Sequence, residues 1–153
     1  VVNTIERSIH IDAPRSAIYE FITEPTNLPE VWTGLVEVSN SNRKPDGTHR
    51  FDTVYKLAGM HFHGRAETRE AVTDTLSEVA MRSGLECVWR WTFEGRDDGT
   101  DVHLRVSFEV PPPLVDKVGA PYVLTLEERE TELLLVSLKD RIESMRAEKS
   151  LRA

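Results

Sequence analysis

The chain has 153 residues, 19 Lys+Arg against 26 Asp+Glu, and a formal net charge of -7. A chain of this length buries roughly 70% of the surface its unfolded form exposes, so residues 1–153 read as a single domain that needs no metal or disulfide staple and can keep an internal cavity. An acidic balance without a Lys/Arg cluster repels phosphate backbones and argues against nucleic acid, and the single cysteine, Cys87, excludes a disulfide framework and a Cys-rich zinc site.

Ile5, Ile9 and Ile11 fall at even spacing and predict a first strand over residues 3–11. Asp12-Ala13-Pro14 ends it, with Asp12 as a cap and Pro14 suited to a first helical turn, and Ala17, Ile18, Phe21 and Ile22 then recur at helical spacing. Glu24-Pro25-Thr26-Asn27 breaks that helix, and Leu28-Pro29-Glu30-Val31-Trp32 makes one more short turn before Gly34.

From Leu35 to Val110 the pattern is six strands. They are separated by Asn40-Ser41-Asn42, Pro45-Asp46-Gly47, Ala58-Gly59, Thr73-Asp74, Ser83-Gly84 and Asp97-Asp98-Gly99. Residues 51–57, 85–93 and 102–110 alternate most cleanly. Their apolar sides carry Phe51 and Tyr55, Trp89 and Trp91, and Val102 to Val110, while Asp52, Lys56, Arg90, His103 and Arg105 mark a wet face. After Pro111-Pro112-Pro113 a helix is expected from about Pro121 to Arg146, roughly 38 Å long and able to cross the dry face of a curved sheet. Residues 148–153 are expected to fray.

No stretch approaches the ~20 apolar residues of a membrane span. The N-terminal Val1-Val2-Asn3-Thr4-Ile5-Glu6-Arg7 lacks the basic and apolar regions of a signal peptide, so a soluble, cytoplasmic protein is expected.

The order of elements, with Ile9-His10-Ile11-Asp12-Ala13-Pro14 leading into Ile18-Tyr19-Glu20-Phe21-Ile22 and then Asn27-Leu28-Pro29-Glu30-Val31-Trp32, resembles the START/Bet v 1-like (SRPBCC) superfamily, in its polyketide cyclase/dehydrase-like branch. The element order matches over nearly the whole chain, whereas the residue-level likeness is confined to the first 32 residues. The resemblance implies an α+β helix-grip fold, a curved seven-stranded antiparallel sheet wrapped around a long C-terminal helix, with two short helices after strand one. It also implies a cavity between sheet and helix that holds an apolar small molecule. The superfamily includes lipid carriers, hormone and secondary-metabolite binders, aromatase/cyclases and proteins that assist assembly of other enzymes, with no catalytic signature common to all.

Among individual residues, Glu127 stands out. Leu134, Leu138 and Met145 share one helix face, and seven residues before Leu134 lies Glu127, offset by only about 20°. If the helix is regular, Glu127 points inward with Thr131 close to the same stripe, as a ligand-orienting or acid/base carboxylate that would need a raised pKa or a buried partner. The plainer reading is a helix that starts late or bends near Pro121, leaving Glu127 wet or paired with a loop arginine.

Trp89, Trp91, Tyr55 and Phe51 share the dry face, Phe62 lies on the apolar side of its strand, and Trp32 and Tyr122 sit at element ends where a cavity mouth would lie. Such aromatics serve either as plain core or as the wall of a ligand site, and the polar tips of Trp and Tyr suit an amphipathic ligand. Tyr55 is the candidate hydrogen-bond donor. The candidate ligand-binding set is therefore Trp32, Phe51, Tyr55, Phe62, Trp89, Trp91, Tyr122, Glu127 and Thr131, with Tyr55 and Glu127 the only candidates for catalysis.

His61 and His63 share a face, but the same parity continues as Arg65, Glu67 and Arg69, so they read as solvated rather than metal-binding. His10, His49 and His103 fall on polar parities or in loops, and Cys87 reads as core. There is no Gly-x-Ser-x-Gly elbow, P-loop or dinucleotide fingerprint, and neither cofactor nor metal is implied. The expected function is binding or transport of an apolar or amphipathic small molecule, lipid or polyketide-like. The alternatives are a cyclase/aromatase/dehydratase using Glu127 or Tyr55, and a scaffold or assembly role. Motion is expected at the Gly59 and Gly119 turns and the Pro-rich connection, and an exposed edge strand leaves a homodimer open.

Overall fold

A computed structural model describes residues 2–82 and 85–152. Strand β1 (Val2–Ile11) leads into helix α1 (Arg15–Thr23), a 3-10 turn (Pro25–Asn27) and helix α2 (Leu28–Val31). Six strands follow: β2 (Leu35–Arg43), β3 (His49–Leu57), β4 (Met60–Val72), β5 (Leu76–Arg82), β6 (Cys87–Arg96) and β7 (Gly99–Glu109). Helices α3 (Pro112–Val118) and α4 (Ala120–Arg152) complete the chain.

The strands form one curved antiparallel sheet in the order β1-β7-β6-β5-β4-β3-β2, with the long C-terminal helix of a helix-grip fold. Every neighbouring pair except β1-β7 is sequential, so short turns can join them. Two of those turns are built for it: Ala58 and Gly59, and Asp97 and Asp98, all have positive φ, as tight two-residue hairpins require. The α1 to α2 segment carries the chain from β1 at one edge to β2 at the other. It covers the sheet through Ile18, Phe21, Ile22, Leu28 and Val31, all buried.

Several local expectations are corrected. Asn40-Ser41-Asn42 is no turn but a bulge inside β2: register slips between Ser39 and Asn42, and Asn40 takes the left-handed conformation an asparagine tolerates while its amide donates to Asp52 at 2.7 Å. Asp12 does not cap α1. Pro14 stands at the N-cap, and Asp12 instead gives its backbone to α4, its N–H to Glu143 at 3.0 Å and its carbonyl to Arg146. Pro112 and Pro113 open an unexpected helix, α3, because proline's fixed φ and missing N–H cost nothing in a first turn. The helix read as Pro121 to Arg146 runs from Ala120 to Arg152, about 50 Å. The Ser83-Gly84 turn lies outside the described residues.

The inner face of the sheet and α4 share one core. Trp89, Tyr55, Leu104, Val102, Leu134 and Leu138 are among its fully buried side chains. The outer face carries ion pairs such as Arg65–Asp52 and Arg90–Glu78. Among the described residues no helix is long and apolar enough to cross a membrane.

Candidate functional site

Regular winding of α4 through its first turns decides the position of Glu127. Its side chain faces inward and the residue is 5% exposed. It meets Tyr55, projected from the dry face of β3, whose hydroxyl donates to Glu127 Oε1 at 3.0 Å. Burial pushes the Glu127 carboxyl up to about 7, aided by the charge of Glu130 and opposed by the Tyr55 hydrogen bond. The Tyr55 phenol is also held well above its usual value, first by burial and then by the Glu127 carboxylate. A carboxyl divided between its two protonation states near neutrality can give or take a proton.

Glu130, one turn along, ties the loop after α2 to α4: its carboxylate accepts from the Thr33 hydroxyl and the Gly34 N–H, each at 3.2 Å. Gly34 sits against the Tyr55 side chain, and a Cβ there would stand 3.0 Å from its ring and hydroxyl, close enough to press on them. This anchoring presents Trp32, the residue before Thr33, to the interior. Its ring packs edge-on against Tyr55 (centroids 5.8 Å, 81°) and against Trp89 (4.5 Å, 65°). Trp32 is 3% exposed, and its indole N–H is the one fully buried side-chain donor or acceptor among the described residues without a partner. A buried donor left unpaired costs about 1–3 kcal/mol.

The wide cavity expected between sheet and helix is largely filled by these side chains. What is found instead is a small, partly open cavity of about 30 Å³ between the sheet and the α1–α2 segment, walled by Trp32, Trp89, Trp91, Phe51, Leu28 and Ile22 among others, room for about one water molecule; no residue of α4 lines it. Beside it lies a surface cleft of about 750 Å³ between α1, the β2–β3 and β4–β5 turns and the far end of α4. Cavity and cleft share Tyr19, Thr23, Gly47, His49 and Ala71, so these residues separate an aromatic interior from solvent. Glu20, Glu24, Asp46 and Asp74 outnumber Arg43 and Lys149 around the cleft.

Of the nine residues expected to face a ligand, Trp32, Phe51, Trp89 and Trp91 wall the cavity, and Tyr55 and Glu127 stand behind Trp32. Three are not brought there. Phe62 lies opposite Tyr55 on β4, outside the cavity lining. Thr131 is buried, but its hydroxyl donates to the Glu127 carbonyl at 2.8 Å and is occupied by the helix itself. Tyr122 is 53% exposed, because α4 begins before Pro121 and carries that ring on its outer side. Met145 keeps the expected angle on α4, yet at its level the helix overlooks the cleft rather than the sheet, leaving it 39% exposed.

His49 corrects the sequence reading: it is no polar-face or loop histidine but the first residue of β3, 7% exposed, at the boundary between cleft and cavity. Burial lowers its pKa, with Glu24 acting the other way. Its parity with Phe51, Thr53 and Tyr55 was the available signal. Tyr19 was missed too, because α1 turns it from the core stripe toward the cleft, where its ring meets Phe93 edge-on. His10 and His103 have structural partners in Asp101 and Ser8, both at 2.7 Å. His61 and His63 are exposed, and no group of three or more metal-ligating side chains forms among the described residues. Cys87 is buried core, its thiol pushed up by desolvation.

Many solved structures share this architecture, among them the following three. TTHA0849 from Thermus thermophilus superposes with a TM-score of 0.80 at 17% identity, covering 94% of this chain and 99% of that one. A START superfamily protein from Mycobacterium smegmatis gives 0.78 at 15%, covering 93% and 98%. The Zhui aromatase/cyclase from Streptomyces sp. R1128 gives 0.77 at 11%, covering 94% of each. At such identities the likeness is one of fold. No curated protein matches the sequence. The family described as polyketide cyclase/dehydrase and lipid transport matches residues 3–143, and with the helix-grip fold and an aromatic interior behind a cleft already established, the chain belongs to that family, within the SRPBCC superfamily.

Proposed function

We propose that this protein binds an apolar or amphipathic small molecule, lipid or polyketide-like, in its interior, entered where the sheet meets the α1–α2 segment. The observation that carries the reading is the tryptophan-walled cavity sharing five lining residues with the cleft. A ligand reaching the cleft has Tyr19, Thr23, Gly47, His49 and Ala71 between it and the aromatic wall. Displacement of those groups enlarges the cavity, and each Å² of apolar ligand surface withdrawn from water contributes about 25 cal/mol. Family membership supports the same reading.

The experiment is native mass spectrometry of the protein purified from its own host, with solvent extraction of any bound molecule. All three tryptophans of the chain wall the cavity, so intrinsic fluorescence then follows titration with the extracted compound or with a panel of lipids and aromatic polyketides. The expected result is a defined added mass lost on denaturation and saturable quenching that Trp91→Ala weakens at least about tenfold, the equivalent of ~1.4 kcal/mol. An empty protein that ignores the whole panel, or a Trp91→Ala variant with unaltered affinity, overturns the reading.

A second reading is favoured by one observation, the buried Glu127–Tyr55 pair with its carboxyl near 7. In a cyclase or dehydratase, Glu127 would move a proton at a carbon next to a carbonyl, with Tyr55 orienting the carboxyl. Glu127→Gln separates the two: retained ligand binding with lost turnover makes the protein an enzyme, and equal turnover removes Glu127 from the chemistry.

A further inference from the structure

We propose that Trp32 is a specificity-determining donor, its indole N–H reserved for a neutral carbonyl oxygen on the ligand; this rests on the interior-binding reading above. The indole is held from every side. The Trp32 backbone N–H donates to the Leu28 carbonyl at 2.9 Å and its carbonyl accepts from Leu35 at 3.2 Å, Glu130 fixes the next two residues, and the rings of Tyr55 and Trp89 pack against it. Such a ring cannot turn to find a partner, yet its N–H has none, while the residue walls the cavity. The neighbouring Tyr55 hydroxyl is already engaged, donating to Glu127. Trp32 thus brings a fully buried donor without a partner to the wall of the cavity.

The chemistry of the complement follows from what surrounds it. An unpaired N–H calls for an acceptor. A carboxylate or phosphate is disfavoured because the Glu127 carboxyl lies just behind Tyr55 and Glu130 just beyond. A ketone or ester carbonyl accepts, is neutral and brings no donor. A site holding one fixed donor discriminates against an analogue lacking the acceptor, because the donor is then desolvated without compensation.

The test uses two probes of matched shape, 1-tetralone and its hydrocarbon tetralin. Protein labelled with 15N in tryptophan shows one indole signal per residue, and the Trp32 signal is assigned by its loss in Trp32→Phe. The expected result is that tetralone moves the Trp32 indole proton downfield and tetralin does not, and that the ketone-over-hydrocarbon preference falls roughly fivefold in Trp32→Phe. Should Trp32→Phe fail to fold, assignment through contacts to the Tyr55 and Trp89 rings lets the wild-type titration decide. If both probes bind while the Trp32 signal and the preference stay unchanged, the donor role is overturned and interior binding stands. A water contact at the Trp32 N–H that persists with saturating tetralone assigns the donor to structural water and overturns the proposal as well. If neither probe binds, both readings fail.

Discussion

The stretch of α4 from Glu127 to Ile142 has two halves that do different work. In its C-terminal half, Leu134, Leu135, Leu138 and Ile142 are buried hydrocarbon. In the N-terminal half the same inward face presents Glu127 and Thr131, equally buried but polar. The sheet opposite changes to match: the polar half meets Tyr55 and, through it, Trp32. Burying a carboxyl is unfavourable unless it is neutralised or hydrogen-bonded, and here both occur, with one hydrogen bond and a pKa near 7. One half of this stretch therefore holds the fold together, while the other holds a titratable group against the aromatic interior.

The comparison breaks most sharply at Leu138. It is fully buried, so Leu138→Ala is expected to destabilise by about 2–5 kcal/mol, measured by urea unfolding. A loss below about 1 kcal/mol would mean that this half is not the packed one.

Next comes the pH dependence of the polar half. The folded pKa of Glu127, about 7, lies above its ordinary value of 4.5, so the native state binds the proton more tightly than the unfolded chain. Its contribution is fully present below about pH 4.5 and is lost as pH rises through about 7, on the order of 3 kcal/mol in total. The groups facing it are Tyr55, Cys87 and Glu130, and neither the phenol nor the thiol ionises in that window. Wild-type stability should therefore fall relative to Glu127→Gln between pH 4.5 and 7. Parallel stability curves for the two proteins would show that the carboxyl is not buried as described.

Tyr55→Phe sharpens the same contrast with a smaller effect. Losing the hydroxyl removes the interaction that opposes burial, so the Glu127 midpoint should rise further above 7 by an amount worth about 1 kcal/mol. Titration of the labelled side-chain carboxyl by 13C NMR reads it directly, and an unmoved midpoint would dissolve the pairing. Smallest of all is Leu133→Ala, one residue from the buried stripe but on the exposed side of α4. Its stability change should stay within about 0.5 kcal/mol in thermal unfolding.

Seven strands and two helices after the first of them were legible because alternation and turn residues are local signals. α3 was hidden by Pro111-Pro112-Pro113, which reads as a break whether or not a helix begins there. Glu127 was legible as an angle on a helix, seven residues from Leu134. Its partner was not, since Tyr55 is 72 residues away and only the wrapping of the sheet around α4 brings the hydroxyl to it. The placements of Tyr122 and Thr131 were not legible for a related reason: helical angle says which way a residue faces, but not where the helix starts or whether a hydroxyl has turned back onto its own backbone.

By itself, then, the sequence determined the strand faces, the hairpins, the long helix and a shortlist of inward polar residues, because each depends on φ, ψ and periodicity over a few residues. Only the tertiary structure decided that the interior is nearly full, that His49 and Tyr19 stand between it and the cleft, and that Trp32 keeps an unpaired N–H. Those depend on how side chains from β1 to α4 fill a common volume, and the packing of a volume is a property of no single segment.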